Sequence, residues 1–124
     1  MARGFGDLEA VIMDRLWVRD GPTSVREVLE ELQRDREIAY TTVMSTMDNL
    51  HRKGWLTRER HGKAYLYVPR LTREQHSAHL MRDALDAGGR SDLILAHFVE
   101  EIGANESGEL RKVLRRLGSR KAQP

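Results

Sequence analysis

No cysteine occurs among the 124 residues, which excludes a disulfide frame and any thiolate-held zinc. No apolar run approaches the ~20 residues needed to cross a bilayer. The opening MARGFGDLEA lacks the apolar stretch of a secretory leader, so a cytoplasmic protein with no membrane partner is expected. A Walker or dinucleotide glycine pattern and an HExxH pair are missing too. No residue stands out for catalysis, and neither an enzyme nor a bound cofactor is expected. His76 and His79 lie three apart on one helix, and His97 could approach them in a dimer. With no assured third ligand they read as surface or packing histidines, and no metal site is expected.

What is present is a 40% hydrophobic content, enough for a core. A chain this short buries only about two-thirds of its surface alone, so association would help it. The net charge of +2 says little, but its distribution says more. Between His51 and Pro69 stand Arg52, Lys53, Arg58, Arg60 and Lys63 against the single acid Glu59, and Arg70 extends the run. The preceding stretch, Ser24 to Leu50, is net acidic. Such a concentration suits a polyanion-binding surface, although charge alone fits a solvated basic hairpin equally well.

Apolar spacing divides the chain. Leu8, Val11, Ile12 and Leu16 form one stripe of a helix over Asp7 to Val18, broken by Asp20-Gly21-Pro22. Ser24-x-x-Glu27 is a capping box, and Val25, Val28, Leu29 and Leu32 follow at helical spacing. A third helix runs from about Tyr40 to Lys53 and stops at Gly54. After it the period changes to two. Trp55 to Arg60 and Ala64 to Val68 read as short strands joined by His61-Gly62-Lys63, with Tyr65 and Tyr67 on one face. Three helices and a hairpin is the winged-helix order. The fold expected is therefore mainly α with a small β wing: a winged helix-turn-helix domain over 1–70 and a helical dimerisation segment over 71–124.

That last segment begins with a second capping box, Thr72-x-x-Gln75. Ser91 is expected to cap a second short helix and Asn105 to open a third. Their apolar positions Leu80, Leu85, Leu95, Phe98, Ile102, Leu110, Val113, Leu114 and Leu117 need a partner, because helices of this length are marginal alone. Folding back on the first domain is one solution. The same segment of a second chain is the preferred one, giving a self-complementary two-fold interface.

The third helix places Ala39, Tyr40, Val43, Thr46, Met47 and Leu50 in one arc, its expected core face. Opposite lie Thr41, Ser45, Asp48 and Arg52, flanked by Thr42, Met44 and Asn49. A solvent face usually carries long charged pairs. Short hydroxyls and amides instead suit a helix lying in the major groove, where Thr and Ser meet several bases and Met44 or a Thr methyl rests on a thymine methyl. Asn49 fits adenine. Asp48 either accepts from cytosine or repels wrong sequences. Arg52 and Lys53 at the helix end suit the phosphate backbone, and Arg58, Arg60, His61 and Lys63 of the hairpin can straddle the backbone or enter the minor groove. Tyr65 and Tyr67 could reach phosphates through their hydroxyls, with packing on the helices expected of at least one. The rival reading is a winged-helix module whose third helix docks on another protein without specific DNA binding.

Three segments, "GDLEAVIMDRLW", "AYTTVMSTMDNLHRKGWLTRERHGKAYLYVP" and "LILAHFVEE", with "ELRKVLRRL" near the end, resemble the penicillinase-repressor family of bacterial regulators, the BlaI/MecI/CopY group. The resemblance covers almost the whole chain and implies a homodimeric repressor on a palindromic double-stranded operator, with antibiotic-resistance or stress genes as its targets. It assigns DNA contacts to the positions Thr41, Thr42, Met44, Ser45, Asp48 and Asn49. Many members carry Arg where this chain has Asn49, and a neutral polar residue where it has Asp48. For members released by a partner protease or sensor, cleavage falls at an Asn-Phe bond. The matching dipeptide here is His97-Phe98, a departure. The cysteine cluster of copper-responsive members is absent.

Overall fold

The structure, a computed structural model, describes residues 4–122. It divides into two compact units, the first ending at Met81 and the second beginning at Arg82. In chain order the first contains α1 (Asp7–Val18), β1 (Thr23–Ser24), α2 (Val25–Leu32), α3 (Tyr40–Arg52), β2 (Leu56–His61) and β3 (Ala64–Pro69). Then follow α4 (Arg73–Ala87), α5 (Ser91–Glu101) and α6 (Ala104–Ala122).

The helix α2 buries the whole stripe its spacing dictates, and α1 and α3 bury part of theirs. Val25, Val28, Leu29 and Leu32 of α2 are all buried, as are Val43, Met47 and Leu50 of α3. In α1 the fully covered set is Ala10, Ile12, Met13 and Leu16, while Leu8 and Val11 pack at its margin. Leu56 and Tyr67 close the core from the hairpin. The Ser24–Glu27 box forms as expected: Ser24 Oγ accepts from the Glu27 N–H at 3.1 Å, and Glu27 Oε1 accepts from the Ser24 N–H at 3.0 Å. The same reciprocal pair links Thr72 and Gln75 at the start of α4.

The third helix ends in a Schellman motif. Gly54 takes φ +87°, its N–H reaches the His51 carbonyl at 3.0 Å, and the Trp55 N–H reaches that of Leu50 at 2.9 Å. This turn sends the chain into a three-stranded antiparallel sheet of order β1-β3-β2. His61 pairs with Ala64, so the hairpin loop is the two residues Gly62-Lys63, not the three expected. Gly62 at φ +63° with no positive φ at Lys63 is the pattern of a type II′ turn, which matches strand twist. The edge strand β1 pairs Thr23 with Tyr67 and Ser24 with Leu66, and a two-residue strand leaves no periodicity to find beforehand. Three helices and this small sheet make a winged helix.

Beneath the hairpin, Phe5, Trp17, Trp55 and His76 form an aromatic cluster. His76 is buried and stacks on Phe5 at 4.5 Å between ring centres, with Trp55 edge-on at 4.8 Å. The Trp17 indole donates to the Leu71 carbonyl at 2.9 Å, and Arg73 pairs with Asp14 at 3.1 Å. His76 therefore serves packing. Among the described residues no group of three or more His, Cys, Asp or Glu side chains is placed to hold a metal ion.

In the second unit α6 runs to 19 residues, beyond its last expected apolar position Leu117, and two caps differ. Arg90, not Ser91, occupies the cap position of α5. The α6 start is held by Glu106, whose carboxylate accepts from the Gly103 N–H at 2.8 Å, with Asn105 already inside the helix.

An ion pair ties the end of α3 to α1. Lys53 Nζ lies 2.8 Å from Glu9 Oε2. Burial pushes the Glu9 carboxyl up, but Lys53 and the Gly6 N–H together outweigh it and hold Glu9 below the ordinary glutamate value. A lowered folded-state pKa lends stability that is complete above the unfolded value, about 4.3, and is lost as pH falls through the folded one. Glu9→Gln is accordingly expected to cost about 1 kcal/mol at pH 7, seen as a lower urea midpoint, with the gap closing as pH falls through the lowered Glu9 value. A gap that persists in acid would assign the effect to packing instead.

Candidate nucleic-acid interface

The outward side of α3 presents Thr41, Thr42, Met44, Ser45 and Asn49, all exposed. Met44 keeps 41% of its surface, unusual for a large apolar side chain on a helix with a well-formed core side. Among the described residues no side chain caps the helix at Ala39, and the Thr42 and Val43 N–H groups reach the Ala39 carbonyl at 3.1 and 3.3 Å. Of the expected core positions Thr46 is only half-buried, its hydroxyl donating to the Thr42 carbonyl, and two more lie outside. Ala39 is exposed, and Tyr40 is 42% exposed with the Arg26 guanidinium of α2 5.8 Å above its ring. Both sit at the first turn, beyond the reach of the elements that cover Val43, Met47 and Leu50. Arg26 escaped the sequence reading, since nothing in local spacing relates it to Tyr40.

The wing approaches the same side. Leu56, Arg58 and Arg60 lie on one face of β2, with Tyr67 opposite Arg58 and Tyr65 opposite Arg60 across the ladder. This face changes character along its length. Leu56 and Tyr67 at its base are buried, whereas Arg60 and Tyr65 at its tip are exposed. Tyr67 is thus the packing member of the tyrosine pair, and Tyr65 the exposed one. Arg60 Nε donates to the Gly62 carbonyl at 3.1 Å, which aligns the guanidinium with the turn, and Lys63 stands exposed beside it. His61 lies 3.6 Å from Glu59.

The expected cations are not equivalent. Arg58 is half-buried: Nη1 donates to Asp48 Oδ1 at 3.1 Å and to the Tyr67 hydroxyl at 3.3 Å, and the guanidinium lies 4.0 Å from the Tyr65 ring centre. Its pKa is raised, first by the Tyr67 hydrogen bond against partial burial, then by Asp48. Arg52 pairs with Asp48 Oδ2 at 3.1 Å and also donates to Asn49 Oδ1. Lys53 is turned toward Glu9. The hydroxyl and amide set and the wing tip are therefore brought together on one exposed surface, while Asp48, Arg52 and Arg58 form an ion-paired seam between them.

In the C-terminal region the expected contact residues Leu95, Phe98, Val113, Leu114 and Leu117 are 38–58% exposed. Ile102 and Leu110 are half-buried, as is Leu85, while Leu80 is half-buried within the first unit. Among the described residues, α5 has no buried side chain.

A family model described as penicillinase repressor matches residues 5–116. Two curated relatives, each named transcriptional regulator BlaI, from Mycobacterium tuberculosis strains CDC 1551 / Oshkosh and ATCC 25618 / H37Rv, are 43% identical over 116 residues, covering 90% of this chain and 83% of theirs. The solution structure of the DNA-binding domain of the repressor BlaI shares the fold at 22% identity and a TM-score of 0.52, over 59% of this chain and 88% of that one.

Proposed function

Because the chain belongs to the penicillinase-repressor family of transcriptional regulators, we propose that it represses transcription as a cytoplasmic homodimer on a palindromic operator. In this reading residues 1–70 bind DNA and residues 71–124 hold the two copies together. The supporting observation is the exposed Thr41-Thr42-Met44-Ser45-Asn49 surface of α3, flanked by Arg60, Lys63 and Tyr65 of the wing. Short donors and acceptors beside a basic arm suit a helix seated in the major groove with an arm on the adjoining backbone. The exposed apolar positions of α5 and α6 supply the second surface that a dimer needs. No helix among the described residues is long and apolar enough to cross a membrane.

Selection from random duplexes tests the reading. Two half-sites about one helical turn, ~34 Å, or a multiple apart should be enriched. Affinity should fall with salt at a log–log slope near −0.9 per phosphate neutralised. An unselective, salt-insensitive interaction would instead favour docking on another protein. Within the DNA reading, Arg60→Ala should weaken all duplexes alike, whereas Ser45→Ala should change the preferred base by about 1–3 kcal/mol. Equal losses on every operator variant would remove Ser45 from the base-reading set.

A further inference from the structure

Asp48 is the one acid on the outward side of α3, and a bare carboxylate facing a polyanion would oppose binding. It is not bare. Its two oxygens hold two different guanidinium groups, Arg58 of the wing and Arg52 one turn further along its own helix, each at 3.1 Å. Arg58 is anchored on three sides, by the Asp48 carboxylate, the Tyr67 hydroxyl and the Tyr65 ring. Tyr67 is itself 2% exposed, so the chain Asp48–Arg58–Tyr67 runs from the recognition surface into the core.

We infer that Asp48 is a positioning residue that sets specificity by restraining Arg52 and Arg58 from phosphates and by fixing the wing against α3, and that it does not itself read a base. The inference rests on the DNA-binding reading above. Nonspecific binding comes almost entirely from cations neutralising phosphates. The single carboxylate leaves the trio at net +1, but an arginine held on Asp48 is turned from the phosphates and adds less to it. Transferring one arginine to a phosphate would leave the carboxylate with a single partner, and transferring both would leave it unpaired beside the DNA backbone, an electrostatic cost that applies on every sequence. Thr41 and Ser45 have no bond to either arginine and keep their contacts, whereas Asn49, whose Oδ1 accepts from Arg52, is freed only when that arginine moves. The acid thus lowers affinity for arbitrary DNA more than for the operator, and the ratio between the two rises. The same pairing holds Arg60 and Tyr65 in register, because both lie on the face of the hairpin that Arg58 pins to α3.

The experiment measures operator and arbitrary-duplex affinity against salt for the full chain and for Asp48→Asn, which keeps the shape and removes the charge. The variant should bind the arbitrary duplex roughly tenfold or more tightly at low salt, with the slope steeper by about 0.9 for each arginine released. Operator affinity should rise less, so discrimination falls. Adding Arg58→Gln to the variant should return the slope by about 0.9 per copy. An unchanged slope in Asp48→Asn overturns the inference, as does loss of preference at one cytosine-bearing position alone. Should Asp48→Asn fail to fold, Arg58→Gln in the native background decides: little change in slope is expected, and the loss of a full phosphate overturns the inference. Failure of the unaltered chain to bind any DNA would overturn the repressor reading itself, a separate result.

Discussion

Replacing both Leu114 and Leu117 with Asp is expected to convert the proposed dimer to monomers and to weaken operator binding at least about a hundredfold. These side chains are 58% and 45% exposed in the single chain, so the change removes no core contact within it. Two carboxylates at i and i+3, met by two more across a two-fold axis, would put like charges into a desolvated interface. The loss on DNA follows from linkage. In a dimer the second half-site is reached at an effective concentration near the millimolar range, and avidity gains of 10²–10⁴ follow without any new contact. A monomer must bind each half-site independently. Light scattering gives the mass, and anisotropy on whole and half operators gives the affinity. The half-site affinity should stay within a few-fold of the native value, showing that the winged helix is intact. A variant that remains dimeric at micromolar concentration, or that binds the palindrome undiminished, would mean that α6 is not the clasp.

Much of the first unit was legible because its elements are governed by local rules. The Val25–Leu32 stripe, the Ser24–Glu27 box and the Gly54 stop each depend on residues within one or two turns, and each occurs where spacing places it. Departures arise where a distant partner decides. The strand β1 exists only because Tyr67 and Leu66 come alongside Thr23 and Ser24. Tyr40 fits the apolar arc, yet no element covers the first turn of α3, and it stays outside under Arg26. Lys53 at a helix end suits a phosphate, but its ammonium is claimed by Glu9, 44 positions earlier. The same holds for the candidate interface. Its hydroxyl face was readable from period alone, whereas the Asp48–Arg58 seam depends on how the hairpin crosses α3, a relation that no sequence spacing contains. Charge counting treated five cations as equal, and tertiary contacts sort them into paired and exposed.

The largest stability effect is expected at Tyr67. Its ring lies in the core with Leu50 and Leu56, and its hydroxyl accepts from Arg58 at the edge of that core. Tyr67→Ala removes the whole ring from a site that cannot collapse, since β3 pairs with neighbours on both sides, Thr23 on one and Arg58 on the other. Aromatic-to-alanine changes in such positions cost about 3–5 kcal/mol. Against a total of ~5–10 kcal/mol for a domain of this size, that is a large fraction, and at ~4–8 °C per kcal/mol the melting midpoint should fall by ~12–40 °C. Tyr67→Phe separates the two roles of the side chain. It keeps the ring and removes one hydrogen bond to a charged group, so about 1–2 kcal/mol should be lost. Calorimetry on the two variants orders the contributions. Comparable losses for Phe and Ala would place the stabilisation in the hydroxyl and its arginine, and would make the ion-paired seam, not the apolar stripe, the element that holds the wing on the helices.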